Sequence, residues 1–383
     1  MAPRPLALGA QNSNDSSAAK SSHWPVVTLL CAFLVSGCIG GGSRTRAAPD
    51  EPIIGSLPTI PAPAAEPTKS DAGAVSLVWE NDFFAGEDAN YTNGITLAYL
   101  TPPLGSLSES NMLRQYATLF HFLPEFGVEG HDERIAFAIV HSMFTPADIR
   151  LPNPPLDDQP YAGVASFDQT FMSRGEGIQH SYLLRLGWVG PRTGADELQK
   201  SMHDWIDSSE PQGWGTQLPD EGIVNLAYEC RQKIGRRELG DTFSVDAVIG
   251  VGANAGTYFT GANVGMVGRL GWNLPDPLGS TSPQRGLTSE AFRSGKSGGG
   301  WRFGLSAGVE GFAIAHYLPL DGNVFRNSRS VDDRAPFVAS GRFGVDFGVG
   351  AFGMGVSFQK FTETFKAERS DNEYGTVTFS LSF

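Results

Sequence analysis

The chain has 383 residues, 47 of them glycine and 25 phenylalanine, with only 18% charged and a formal net charge of -13. That length holds one large all-β domain or two ordinary ones. The mean hydropathy of -0.16 excludes a helical membrane protein but not a barrel, whose strands show the bilayer only every second residue. The acidic balance disfavours nucleic acid as a partner, and binding a phosphorylated lipid would need a cation or a local basic patch.

The first element in the chain is a leader. Lys20 precedes an apolar stretch over 24–37, shorter than the ~20 residues of a spanning helix, which reads as a signal-peptide core. It ends in Val35-Ser36-Gly37-Cys38, which resembles a bacterial lipoprotein signal in which the Cys becomes the lipidated first residue. Cleavage of an ordinary secretory signal near Ala47-Ala48 is the other reading, and the long start before Ser22 is compatible with a downstream start codon. Residues 1–38 are thus assigned to a signal peptide, of lipoprotein type on the first of these readings. Residues 39–72, rich in Gly, Pro, Ala and Ser, read as a disordered linker, and 73–383 as the folded domain. With Cys31 and Cys38 in the leader, Cys230 stands alone and no intrachain disulfide framework is expected.

From residue 73 the chain alternates with period two. Val75, Leu77 and Trp79 share one face; Ile95, Leu97 and Tyr99, then Ile135, Phe137 and Ile139, repeat the pattern, as do later segments to Phe343, Val345, Phe347 and Val349. The opposite face carries Gly, Ser, Thr and the charged residues Arg185, Asp246, Arg302 and Glu310. Apolar-out, polar-in alternation is the signature of a lipid-facing barrel, although strands of a soluble β-sandwich alternate too. The terminal Phe383 resembles the C-terminal signal of bacterial outer-membrane barrels. The strands, read near 73–80, 93–101, 133–143, 160–172, 179–190, 222–232, 242–253, 260–273, 300–311, 334–347, 350–363 and 373–383, number twelve, as an even-numbered closed barrel requires. The expected fold is therefore all-β, a twelve-stranded antiparallel transmembrane barrel. Its termini face the periplasm, and its long loops, near 81–92, 144–159, 191–221, 254–259, 312–333 and 364–372, face outward. The opposite turns at 102–132 and 274–299 are longer than a periplasmic turn should be.

The third outer loop contains a short amphipathic helix over 194–206, with Leu198, Met202 and Trp205/Ile206 as an apolar stripe. Gln199 and His203, spaced i, i+4, share a second face. In the first outer loop, strand parity places Asp82 on the lumen side with Glu80, and Thr92 with Gly94 and Thr96. A carboxylate, two amides, a hydroxyl and an imidazole thereby meet at one mouth: Asp82, Asn81, Gln199, Thr92 and His203. Singly, each has a plainer reading as a turn former or a surface residue.

With these residues in place, the chain resembles the lipid A 3′-O-deacylase family of outer-membrane proteins. The resemblance runs over 74–383, through Glu80-Asn81-Asp82, Tyr91-Thr92-Asn93-Gly94, Asp158-Gln159-Pro160-Tyr161-Ala162-Gly163 and Gly187-Trp188-Val189-Gly190-Pro191. It continues through Gln199 and His203 to Gly213-Trp214-Gly215, Gln217-Leu218 and Glu221. It implies calcium-dependent hydrolysis of the ester-linked 3′ acyl chain of lipid A in lipopolysaccharide, at the extracellular mouth of a barrel in the bacterial outer membrane, most simply as a monomer. It also implies site roles for Asn81, Asp82, Thr92, Gln199 and His203, with Glu210 or Asp207 as an acid following the His.

Ester hydrolysis needs a base for water and a positive group beside the developing oxyanion. His203 is the side chain of the cluster with an ordinary pKa near neutrality and is the expected base. No Ser lies in a strained elbow motif, which favours direct attack by water. Asp82 suits calcium as a hard oxygen ligand, with Glu210 as second candidate. Asn81 and Thr92 would donate or position, and Gln199 would orient the base or the water. The alternatives are an outer-membrane phospholipase with a Ser nucleophile, a porin-like or purely structural barrel, and a tethered adhesin.

Overall fold

A computed structural model describes residues 73–82, 90–206, 208–278 and 300–383. The assigned signal peptide and linker lie outside the described residues. Twelve strands follow in chain order: β1 Ala74–Asn81, β2 Asn90–Leu100, β3 Asp132–Thr145, β4 Ala162–Gly175, β5 Ile178–Val189 and β6 Glu221–Glu238, then β7 Phe243–Gly256, β8 Phe259–Trp272, β9 Trp301–Tyr317, β10 Phe337–Val349, β11 Phe352–Phe361 and β12 Glu373–Ser382. Every strand pairs antiparallel with its neighbours, and β1 pairs with both β2 and β12, so the sheet closes without an edge. Closure is locked at the termini, where the Gly73 and Phe383 backbones exchange two 3.0 Å hydrogen bonds and the Phe383 ring stacks on Tyr99 at 6.2 Å.

The alternation read from the sequence is the alternation of the wall. On β1, Val75, Leu77 and Trp79 are exposed to the surroundings while Ser76, Val78 and Glu80 are buried toward the lumen. Leu97, Ile139, Phe167, Leu186, Val224, Val264, Val309 and Phe343 continue the apolar outer band. In water such a band would be an aggregation surface; in a bilayer it is the solvent-matched one. The inner face is polar and pairs its groups across neighbouring strands: Arg185 with Asp168 at 3.0 Å and Arg269 with Asp246 at 2.8 Å as ion pairs, and Asn263 donating to Glu310 at 2.6 Å.

Strand ends depart most from expectation at β6 and β9. β6 runs to Glu238 rather than 232, through a bulge between Lys233 and Gly235, and its added residues include Arg236 and Arg237. β9 likewise runs to Tyr317 rather than 311. The β6 extension carries polar rim residues, so apolar alternation underestimates it, whereas the mostly apolar β9 extension, from Phe312 to Tyr317, passes a register shift against Thr260 and Gly261 of β8.

The long turn between β2 and β3 has structure of its own. It holds a 3₁₀ turn at Leu104–Ser106 and the helix α1, Met112–Thr118, whose N-cap Asn111 accepts from Leu113 N at 2.9 Å. Leu104, Ala117 and Phe126 pack on Ile135 of β3 and Phe171 of β4, forming a small satellite core. This resolves why the turn is too long for a plain hairpin. Most of the second long turn, 279–299, lies outside the described residues. The end opposite the termini carries the helix α2, Ala195–Ile206, and the short helix α3, Leu318–Asp321.

Candidate functional site

The glycine- and aromatic-containing motifs of the outer end are explained by how α2 is seated. Gly194, at φ 66°, ends a 3₁₀ turn over Pro191–Thr193 and starts α2, whose first turn carries Asp196 and Glu197 at the positive end of its dipole. A Cβ on Gly163 of β4 would collide with Thr193 Oγ1 and Ala195 Cβ, so only glycine there lets the helix lie against the wall. Met143, Ile149, Tyr161, Ala195 and Trp214 close into a buried core beneath it. His141 on β3 meets the Thr193 carbonyl at 3.1 Å.

The face that α2 buries is not its apolar stripe. Ala195, Gln199 and His203 are buried, whereas Leu198 and Met202 are half-buried and Trp205 is exposed. A 12-residue helix that turns an amide and an imidazole inward, and leaves a tryptophan out, is positioned by its polar face. Gln199 Oε1 accepts from Trp214 Nε1 at 2.6 Å, and Trp214 packs on Tyr161 with ring centroids 4.8 Å apart. Tyr161 in turn donates to the Ile149 carbonyl at 3.0 Å. This chain fixes the amide, and its Nε2 is a buried donor with no hydrogen-bond partner among the described residues. His203 Nδ1 lies 2.6 Å from the Ser209 carbonyl oxygen. A carbonyl only accepts, so Nδ1 carries a proton, and in the neutral tautomer this leaves the lone pair on Nε2.

Opposite the helix stand the ends of β1 and β2. Asn81 and Asn93 are cross-strand partners on the outer face. Asn93 Oδ1 accepts from Trp79 Nε1 at 2.9 Å and from Asn81 Nδ2 at 3.4 Å, while its Nδ2 reaches Met202 Sδ at 3.6 Å. Asn93 thus ties Asn81 to the residue beside His203. Asp82, which follows β1, is buried.

The expected lumen-side placement of Thr92 is corrected by a bulge. The β2–β3 register shifts between Tyr91 and Asn93, so Tyr91, not Thr92, joins Glu80 on the lumen side, with its hydroxyl 2.7 Å from Glu80 Oε2. Thr92 Oγ1 instead meets Thr145 Oγ1 at 2.6 Å, and Gln159 Nε2 donates to the neighbouring Asn90 carbonyl at 2.6 Å. The site therefore lies between the outer surface of the wall and α2. A separate cavity of about 200 Å³ occupies the lumen behind it, lined by Glu80, Tyr91, Phe144, Tyr317 and others but by none of Asn81, Thr92, Gln199 and His203. Within that cavity burial pushes the Tyr258 phenol up, against the Arg185 guanidinium centred 4.5 Å over its ring.

Glu210 is exposed, with its carbonyl 3.5 Å from Gln212 Nε2, and Asp207 lies outside the described residues. No group of three or more His, Cys, Asp or Glu that could hold a metal ion occurs among the described residues. Asn93, Thr145 and Trp214 are the site residues that sequence reasoning left without a role; only the motifs around Asn93 and Trp214 hinted at them.

A closed twelve-stranded barrel with an apolar outer band, a charge-paired interior and its helices at the rims is a bacterial outer-membrane protein in class. The chain belongs to the LpxR family of outer-membrane proteins, whose model matches residues 53–383 and so reaches back beyond β1. This is the family anticipated from the motifs. Among solved structures, LpxR from Salmonella typhimurium superposes with a TM-score of 0.64 at 16% identity, covering 81% of this chain and 100% of that one. The β domain of the Bordetella autotransporter BrkA aligns over 82% and 98% with a TM-score of only 0.34 at 10% identity. No curated protein matches the sequence.

Proposed function

We propose that this protein hydrolyses the ester-linked 3′-O acyl chain of lipid A, at the extracellular end of the barrel. The observation that carries the reading is the orientation of α2, which presses Gln199 and His203 against the lipid-facing side of the wall rather than into the lumen. A site there meets a membrane glycolipid from the side, without drawing it into the barrel.

His203 Nε2 takes the proton of the attacking water while Nδ1 stays held by the Ser209 carbonyl. Water adds to the ester carbonyl; collapse breaks the bond to the sugar oxygen, which leaves as an alkoxide and takes back the proton held on His203 Nε2, releasing the fatty acid. Gln199 Nε2, a buried donor held in place through Trp214, is suited to the developing oxyanion or to the water. Asn81, restrained by Asn93, and Thr92, restrained by Thr145, position the substrate side. Asp82, a buried carboxylate at a loop entrance, offers the hard oxygen that calcium prefers, and Glu210 is the second candidate. When bound, calcium would supply positive charge beside an anionic glycolipid and its ester carbonyl.

The test is the lipid A mass spectrum of a bacterium with hexa-acylated lipid A expressing this chain, alongside His203→Ala and Asp82→Ala. Loss of acyl mass with the parent chain alone supports the reading. An unchanged spectrum from a folded, surface-exposed barrel with calcium supplied refutes it. Inactivation by a serine-directed reagent would favour the phospholipase alternative.

A further inference from the structure

We infer that the segment 102–131 is an in-plane anchor embedded in the periplasmic-side lipid surface of the outer membrane, beneath the same strands that carry α2. Three observations converge on it.

The segment lies on the outside of the barrel. Ile135 of β3 shares its outward face with Phe137 and Ile139, and its β4 partner Phe171 shares that face with Phe167. Ile139 is 65% exposed, as a lipid-facing residue should be in the bare protein. Ile135 is 0% exposed and Phe171 3%, because Leu104, Ala117 and Phe126 cover them. Gln169, also paired outward, holds the Tyr116 hydroxyl at 3.0 Å, and Tyr182 of β5 donates to the Pro124 carbonyl at 2.7 Å. The segment thus occupies the place of lipid along the first outward rungs of β3–β5.

Its far side is apolar as well. Met112 is 82% exposed, Phe122 76% and Leu119 67%. Three large apolar side chains bared on so short a segment have no structural use in water, and Phe122 joins the wall through Phe120, which packs on the outward Phe171 with ring centroids 4.0 Å apart. Exposed Gln115, Thr118 and His121 are interleaved with them, which is the composition of a polar–apolar boundary rather than of a hydrocarbon core.

The position is at the correct depth and side. The segment joins β2 and β3 at the end that carries the chain termini, which in a bacterial barrel faces the periplasm. At the opposite end α2 and the 3₁₀ turn that leads into it rest on β3 and β4 through His141, Met143 and Gly163. Anchor and helix therefore bracket one stretch of wall, and the anchor fixes the height at which that stretch meets the bilayer. This holds whether or not the site is a deacylase.

The experiment is site-directed spin labelling of the full chain, with Cys31, Cys38 and Cys230 replaced by Ser, in phosphatidylethanolamine–phosphatidylglycerol vesicles. Labels at Met112→Cys and Phe122→Cys are compared with Leu97→Cys on the outer band and Glu129→Cys, exposed in the same turn. Both test positions are surface side chains, and heat-modifiable migration confirms folding. The expected result is oxygen accessibility at positions 112 and 122 matching Leu97→Cys, with accessibility to a water-soluble nickel complex falling well below Glu129→Cys. Nickel accessibility equal to that of Glu129→Cys overturns the anchor. Low accessibility to both reagents that disappears on dilution of protein in lipid also overturns it, in favour of a contact between copies. Unchanged lipid A in the mass-spectrometric test would refute the deacylase alone.

Discussion

Gln199 is the most constrained polar residue of the site: buried, with one amide atom spent on Trp214 and the other unsatisfied among the described residues. An unsatisfied buried donor costs about 1–3 kcal/mol, so such an arrangement persists where a ligand uses it. Gln199→Ala should leave a folded barrel and lower the proposed deacylation by roughly 100–1000-fold, the range for loss of one oxyanion donor. Trp214→Phe keeps the packing on Tyr161 but frees the amide. It should cause a smaller loss, about tenfold, expressed in kcat with KM unchanged. Equal activity of both variants with the parent would remove Gln199 from the chemistry. Lipid A turnover in detergent, read by mass spectrometry, checks both. Residue types and spacing in the sequence pick out Asn81, Asp82, Thr92, Gln199 and His203 as candidates. They could not show which side of the wall these residues use, because parity counting assumes a regular ladder and the bulge at Thr92 breaks it.

At the level of elements, α2 shows where pattern and packing part. The apolar stripe through Leu198 and Met202 predicts the helix but is not the face it buries most, because Gly163 and the Tyr161–Trp214 core seat Ala195, Gln199 and His203 against the wall. Gly163→Val should therefore lift the helix without opening the barrel. The expected signs are faster tryptic cleavage at Lys200, loss of activity and unchanged heat-modifiable migration. Cleavage as slow as in the parent would mean that the helix does not depend on close approach at Gly163. The twelve strands were legible because two-residue alternation is repeated in each. The turn at 102–131 was legible only as too long, since its apolar residues serve two surfaces at once, the wall and, on our inference, the lipid.

For the whole molecule, the remaining question is whether the barrel is a conduit. The interior argues against it. Arg185 and Asp168, and Arg269 and Asp246, are paired across adjacent strands and buried, so their charges compensate locally instead of lining an open aqueous path. Near the outer end Tyr91, Phe144, Tyr317 and Tyr258 contact one another in series, with centroids 5.3, 6.2 and 6.0 Å apart, and bound the 200 Å³ cavity. Aromatic packing of this kind excludes hydrated ions, which need a continuous polar lining to shed or keep their water. The protein reconstituted in planar bilayers should thus show no stable porin-like conductance. Phe144→Ala combined with Tyr317→Ala, which removes two links of the series, should raise it if the layer is the seal. Steady channel steps from the parent protein would restore the porin-like reading. Their absence, together with activity confined to the outer face, would fit a barrel that serves as a rigid frame, holding one patch of its lipid-facing wall against one helix.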